Sequence, residues 1–91
     1  KNYFQVLCKA IVGQQISTKA AESINSRFQN LFSRNRPTPK KVQELAEQQL
    51  REVGLSGQKV KYMKDLSEKF IDRTIRPHSM AYQAMKKLFG N

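Results

Sequence analysis

One cysteine, Cys8, and one histidine, His78, are the only thiol and imidazole in this chain. A lone cysteine allows no intrachain disulfide, and its place in an apolar helical pattern suits a small core residue in a reducing, intracellular setting. A histidine without a second histidine or a cysteine at ligand spacing builds no zinc site, so neither metal nor cofactor is expected. Following Pro77 in a polar linker, His78 reads as an exposed structural residue. No run approaches the roughly 18 consecutive apolar residues of a membrane span, and no charged-then-apolar leader occurs, so a soluble protein with no membrane partner is expected. The phosphate-cradling GxxxxGK[ST] loop and the GxSxG nucleophile turn are both missing. β alternation, internal repeats and low-complexity tracts are missing too.

Negative charge is also scarce. Seven Asp and Glu stand against seventeen Lys and Arg, a net charge of +10 that favours a polyanionic partner, nucleic acid first. The excess is uneven: residues 1–41 carry eight basic and one acidic side chain, residues 42–72 five and six, residues 73–91 four and none. Glu44, Glu47 and Glu52, then Asp65, Glu68 and Asp72, fall on helical stretches, the latter three among Lys61, Lys64 and Lys69. They read as a solvated mixed-charge face, and none is nominated as a catalytic acid.

The length bounds one domain with a modest core, burying roughly 60 to 65% of its unfolded surface. The chain opens on Lys1 and its apolar pattern starts by Tyr3, as expected of a piece excised from something longer. Phe4, Leu7, Ala10 and Ile11 define a first helix stopping at Gly13; Ile16, Ala20, Ile24, Phe28, Leu31 and Phe32 define a second running to about Phe32. Ser33–Thr38 is a polar, basic loop, and Thr38-Pro39 supplies an N-cap and first-turn residue for a third helix. That stretch continues through Val42, Leu45, Ala46, Gln49, Leu50 and Val53, with a break at Glu47–Gln49 left open. Ser56 caps a fourth helix buried through Val60, Met63, Leu66, Phe70 and Ile71, and a last one carries Ala81, Ala84, Met85, Leu88 and Phe89 before stopping at Gly90-Asn91. The expectation is an all-α fold of about five helices, orthogonal or antiparallel, with short connections.

The stretch IVGQQISTK, residues 11–19, interrupts an apolar run with a glycine and two amides. Ser17, Thr18 and Lys19 open the second helix, where unpaired backbone N–H groups, two hydroxyls and a cation could hold a phosphate; Ser17 acting only as a cap fits these residues equally well. Gln14 and Gln15 sit at the tip, where an amide could read base edges or fill a gap in a stack, or simply be surface glutamines in a turn. Arg34 and Arg36, with Lys40 and Lys41, form a second basic cluster, and Lys59, Lys61 and Lys64 a third; together they suggest a phosphate-tracking face whose binding weakens with salt. LREVGLSGQKV, residues 50–60, reads as a plain interhelical turn, with Ser56 where a G-hydrophobic-G hairpin would need glycine.

The blocks YFQVLCKAIVGQQISTKAAESINSRF and PTPKKVQELAEQQLREVGLSGQKVKYMKDLSEKF, within residues 3–75, resemble the 3-methyladenine DNA glycosylase II branch of the helix-hairpin-helix (HhH-GPD) DNA glycosylase superfamily. The AIVGQQIS block with AA after it, the PTP and the GLS followed by Lys59 carry the resemblance. It implies that residues 1–91 are part of an HhH-GPD helical domain acting on double-stranded DNA with a damaged base. It also implies base excision repair by hydrolysis of the N-glycosidic bond of alkylated purines, in the cytoplasm (nucleoid) or the nucleus, by a monomer. Gln15 matches the family's wedge, with Gln14 and Ile16 beside it. Ser17, Thr18, Lys19, Arg34, Arg36 and Lys59 are the DNA-binding candidates. The family's LPGIGxWTA hairpin and following aspartate do not occur in these residues, so no catalytic residue is assigned and the segment is expected to be inactive alone. A non-catalytic nucleic-acid-binding module and a helical protein-interaction domain are the alternatives.

Overall fold

The computed structural model describes residues 2–90, and among them the regular structure is entirely helical. Six α-helices occur: α1 (Tyr3–Gly13), α2 (Thr18–Gln29), α3 (Pro39–Glu44), α4 (Glu47–Glu52), α5 (Gly57–Ile71) and α6 (Met80–Gly90), with a 3-10 turn at Ser33–Asn35. Asn91, half of the expected C-terminal stop, lies outside the described residues.

Helix starts follow the side-chain oxygens. Ser17, Thr38 and Ser56 accept from the backbone N–H groups of Ala20, Lys41 and Lys59, each at 3.2 Å, satisfying amides that have no partner within the helix. Asn2 does the same for α1, accepting from the Gln5 N–H at 2.8 Å. The open question in the third stretch resolves as a break: Leu45 takes extended angles (φ −71°, ψ 140°) and the Gln49 side chain accepts from the Ala46 N–H at 2.9 Å, starting α4. The break brings the expected count of about five helices to six among the described residues.

Four other expectations change. The second helix ends at Gln29 rather than Phe32, because Leu31 and Phe32 donate back to Phe28 and Gln29 at 3.1 and 3.0 Å. This tighter turn folds Phe32 into the core against Phe28, ring centroids 5.0 Å apart. At the other end Ile16 precedes the cap and Ala20 is exposed, so neither belongs to the buried stripe. In α6 the inward face is Tyr82, Met85 and Phe89, leaving Ala81, Ala84 and Leu88 exposed, because the Tyr82 ring packs edge-on to Tyr3 at 5.3 Å and buries far more surface than an alanine. Ile71, expected inside, is 52% exposed; Ser67 is buried on α5 instead, its hydroxyl donating to the Lys64 carbonyl at 2.8 Å.

The core joins Phe4, Leu7, Ile11 and Val12 of α1 to Phe28, Val42, Leu50, Val60, Met63 and Leu66. Helix α1 packs against α2, α5 and α6. Cys8 is buried there, and burial pushes its thiol well above its ordinary value. The Cα radius of gyration is 12.1 Å, against about 12 Å for an independently folded domain of this length, so the described residues are as compact as that scaling expects. No helix among the described residues is long and apolar enough to cross a membrane.

Candidate nucleic-acid interface

The interruption after α1 is a tight turn. Gln14 has φ −65° and ψ 127° and donates its N–H to the Ile11 carbonyl at 3.3 Å; Gln15 follows at φ 61°. Extended angles at Gln14 followed by a positive φ at Gln15 follow the pattern of a type II turn, whose second central position ordinarily calls for glycine or asparagine. Gly13 is the last helical residue, as expected of the helix stop, and a Cβ there would sit 3.7 Å from the Ala21 Cβ on α2, an ordinary contact distance. The left-handed residue is a glutamine, at a cost of about 1 kcal/mol relative to a relaxed residue.

Gln15 is exposed, Gln14 is half-buried and Ile16 is 37% exposed, so the turn presents one long polar arm with an apolar shoulder. It stands between two hollows. One is lined by Ile16, Thr18, Ala21 and Asn25 on the α2 side, the other by Ala10, Gln14, Leu88 and Phe89 on the α6 side, and both share Gly13 and Lys9. Lys9 was only part of the charge total in the sequence. Its spacing of four from Gly13 is the signal that sets it one turn below on the same face.

Ser17 uses its hydroxyl for the cap. Thr18 and Lys19 are exposed in the first turn of α2, where backbone N–H groups lack helical partners and the dipole is positive. Residues 14–19 are thus brought together at one tip.

The other candidates are not gathered there. Arg34 and Arg36 are exposed beside the 3-10 turn, with Arg34 itself left-handed at φ 56°. Asn2 Nδ2 donates to the Pro37 carbonyl at 3.3 Å, tying this loop to the N-terminal end of α1, and Arg36 shares a hollow with Asn2, Tyr3 and Gln5. Eleven helical residues, about 16 Å at 1.5 Å each, separate that end from the glutamine turn.

Lysines of α5 are also placed differently from a solvated basic face. Lys59 Nζ donates to the Val12 carbonyl at 2.9 Å, and partial burial lowers its pKa from 10.5. Lys64 Nζ donates to the carbonyls of Val42 (2.8 Å), Gln43 (3.2 Å) and Leu45, closing the end of α3. Lys69 pairs with Asp65 one turn away, and Lys61 is exposed. His78 is exposed as expected, bonded to the Tyr3 hydroxyl, with its ring 4.4 Å from the tyrosine ring. No cluster of three or more metal-ligating side chains occurs among the described residues.

Residues 8–90 match the family described as HhH-GPD superfamily base excision DNA repair protein. The sequence is 29% identical over 76 residues to a DNA-3-methyladenine glycosylase 1 of Schizosaccharomyces pombe, covering 82% of this chain and 33% of that protein. The fold is similar, with a TM-score of 0.79 and 28% identity, to the solved structure of a 3-methyladenine DNA glycosylase of the same yeast in complex with abasic DNA, covering 84% of this chain and 37% of that one. The chain thus spans about a third of the length of these relatives. With its helical fold and a family match over nearly its whole length, the chain belongs to the HhH-GPD superfamily of base excision DNA repair proteins.

Proposed function

We propose that this chain is the probe-bearing helical part, residues 1–91, of a monomeric DNA glycosylase that removes alkylated purines of the 3-methyladenine type from duplex DNA in the nucleoid or nucleus. Gln15 is the wedge, with Gln14 and Ile16 as its flanks. The observation that carries this reading is the exposed left-handed glutamine at the tip of the type II turn. Glycine would relax that position; what glycine lacks is an arm able to enter a stack and bond to a base edge.

Extruding a base costs a few kcal/mol of unstacking, which contacts elsewhere must offset. The exposed first turn of α2 supports this, since the backbone N–H groups of Thr18 and Lys19 have no helical partner and the Lys19 ammonium would join them in holding a phosphate beside the wedge. The hydrophobic shoulder of Ile16 suits contact with a sugar or base face. Arg34 and Arg36 serve a more distant stretch of backbone. Cleavage of the glycosidic bond is assigned to the parent protein and to none of the residues named here.

Fluorescence anisotropy with an intact duplex and one carrying an abasic-site analogue tests the wedge. The expected result is a preference for the abasic duplex that Gln15→Ala removes without changing affinity for the intact one. Equal binding of both duplexes by the unaltered chain would sink the wedge, and no binding at low salt would favour a protein partner instead. Release of alkylated purine by these residues alone would overturn the assignment of cleavage to the parent.

A further inference from the structure

Lys59 is counted by sequence among the phosphate-binding cations, but its surroundings argue for another role. It is the third residue of α5, its N–H held by Ser56 Oγ at 3.2 Å, and its side chain crosses to α1, where Nζ donates to the Val12 carbonyl at 2.9 Å. Val12 lies in the last turn of α1, where carbonyls have no following helical amide and the dipole is negative. A cation is stabilised there. The ammonium is also partly withdrawn from water. Three residues beyond Val12 stands Gln15.

We infer that Lys59 is a positioning residue: through the Val12 carbonyl it fixes the end of α1 from which the Gln14–Gln15 turn projects, and it does not contact the DNA backbone. This rests on the wedge reading above. A turn closed by two residues has little purchase of its own, and its aim depends on how firmly the preceding helical turn is held. Lys59 joins that turn to the start of a fifteen-residue helix packed into the core.

The test uses the chain with a duplex carrying 2-aminopurine next to an abasic-site analogue, so that insertion changes the probe's fluorescence, and measures affinity across a salt series. Lys59→Met keeps the aliphatic stem and removes the cation. It is expected to reduce the fluorescence change roughly fivefold while leaving affinity for intact duplex within about twofold. The slope of log affinity against log salt should stay unchanged, and Lys59→Arg should restore most of the fluorescence change. A fluorescence change retained in Lys59→Met, with the slope reduced in magnitude by about 0.9, makes Lys59 a phosphate contact and overturns the inference. If the unaltered chain gives no fluorescence change, the wedge reading falls and the inference with it, a result distinct from the previous one. Should Lys59→Met lose its helical circular dichroism, proton exchange at the unaltered lysine decides: slower exchange of the Lys59 ammonium than of Lys61 by nitrogen-15 NMR supports the bond to Val12, and equal rates overturn it.

Discussion

Arg27 donates from Nε to the carbonyl oxygen of Val53 at 3.0 Å, fastening the last turn of α2 to the residue that caps α4. Lys64 does the same for the end of α3 and Lys59 for the end of α1. Three helix C-termini therefore each receive a cation from another helix, two of them from α5, complementing the negative pole and occupying carbonyls that helix geometry leaves open. The net charge of +10 consequently overstates what is free to meet phosphate. Lys64→Met should lower stability by about 2 kcal/mol, as expected for losing hydrogen bonds to a charged donor, which for a domain of this size is a fall of roughly 8 to 16 °C in melting temperature. The salt slope of DNA binding should not move. An unchanged melt, or a slope reduced by about 0.9, would return Lys64 to the solvated face.

The junction that Arg27 closes also leaves little room for added bulk. Gly54 has φ 115°, and a Cβ there would meet Ile24 Cγ1 at 3.0 Å and Cδ1 at 3.3 Å. Gly54→Ala combines a disfavoured backbone with a crowded neighbour and should cost about 1 to 3 kcal/mol. Gly13→Ala meets only ordinary contact and has a helical backbone, so it should be neutral or stabilising by up to about 1 kcal/mol. Thermal melts of the two variants side by side check this. A Gly13→Ala variant as damaged as Gly54→Ala would mean that the α1–α2 approach is closer than the 3.7 Å contact implies.

What the sequence exposed was mostly local. Ser17, Thr38 with Pro39, and Ser56 announce helix starts because their hydroxyls act within three residues, and the glutamine turn is visible as a polar gap in an apolar run. The chain's all-helical character follows from the same short-range periodicity. The inward face of α6 was not legible: Ala81, Ala84 and Leu88 satisfy helical spacing as well as Tyr82 does, and only the Tyr3 ring across the bundle decides between them. The end of α2 was hidden likewise, since Leu31 and Phe32 fit both a continued helix and a tight turn. At the site, residues 14–19 are contiguous and so arrive together. Arg34 and Arg36 read as part of one basic face because charge counting ignores the length of α1 between them. Lysines bonded to distant carbonyls left no trace, because a backbone acceptor has no residue type.

Asp72, one of the carboxylates read as solvated, does local work after α5. It accepts the Thr74 N–H at 2.9 Å, and hydrogen bonds from the Thr74 hydroxyl and backbone hold its carboxyl below the ordinary 3.8. A carboxylate with a depressed folded-state pKa contributes stability that is fully present above the unfolded value and lost as pH falls through the folded one. Asp72→Ala should therefore melt at a lower temperature than the unaltered chain at neutral pH, and the difference should close as pH drops below 3.8. Melts across an acid series provide the check. A gap that persists at the acid end would assign the effect to helix propensity and not to the charge.

On the proposed wedge reading, the turn sets stability against function. Gln15 at φ 61° holds a conformation that glycine adopts freely, so Gln15→Gly relieves about 1 kcal/mol of backbone strain while giving the unfolded chain more freedom, worth about 0.5 to 1 kcal/mol in the opposite sense. The melting temperature should stay within a few degrees of the unaltered value. The 2-aminopurine response to an abasic duplex should disappear, because the arm is gone although the turn is intact. Gln15→Asn, which tolerates the same φ but is one methylene shorter, should keep the fold and give an intermediate response set by reach. Response falling in the order Gln, Asn, Gly, with stability nearly level, is the signature of a side chain held in place for contact. A steep loss of stability in Gln15→Gly would mean that the glutamine holds the turn together, and a full fluorescence response without the side chain would mean that something else enters the stack.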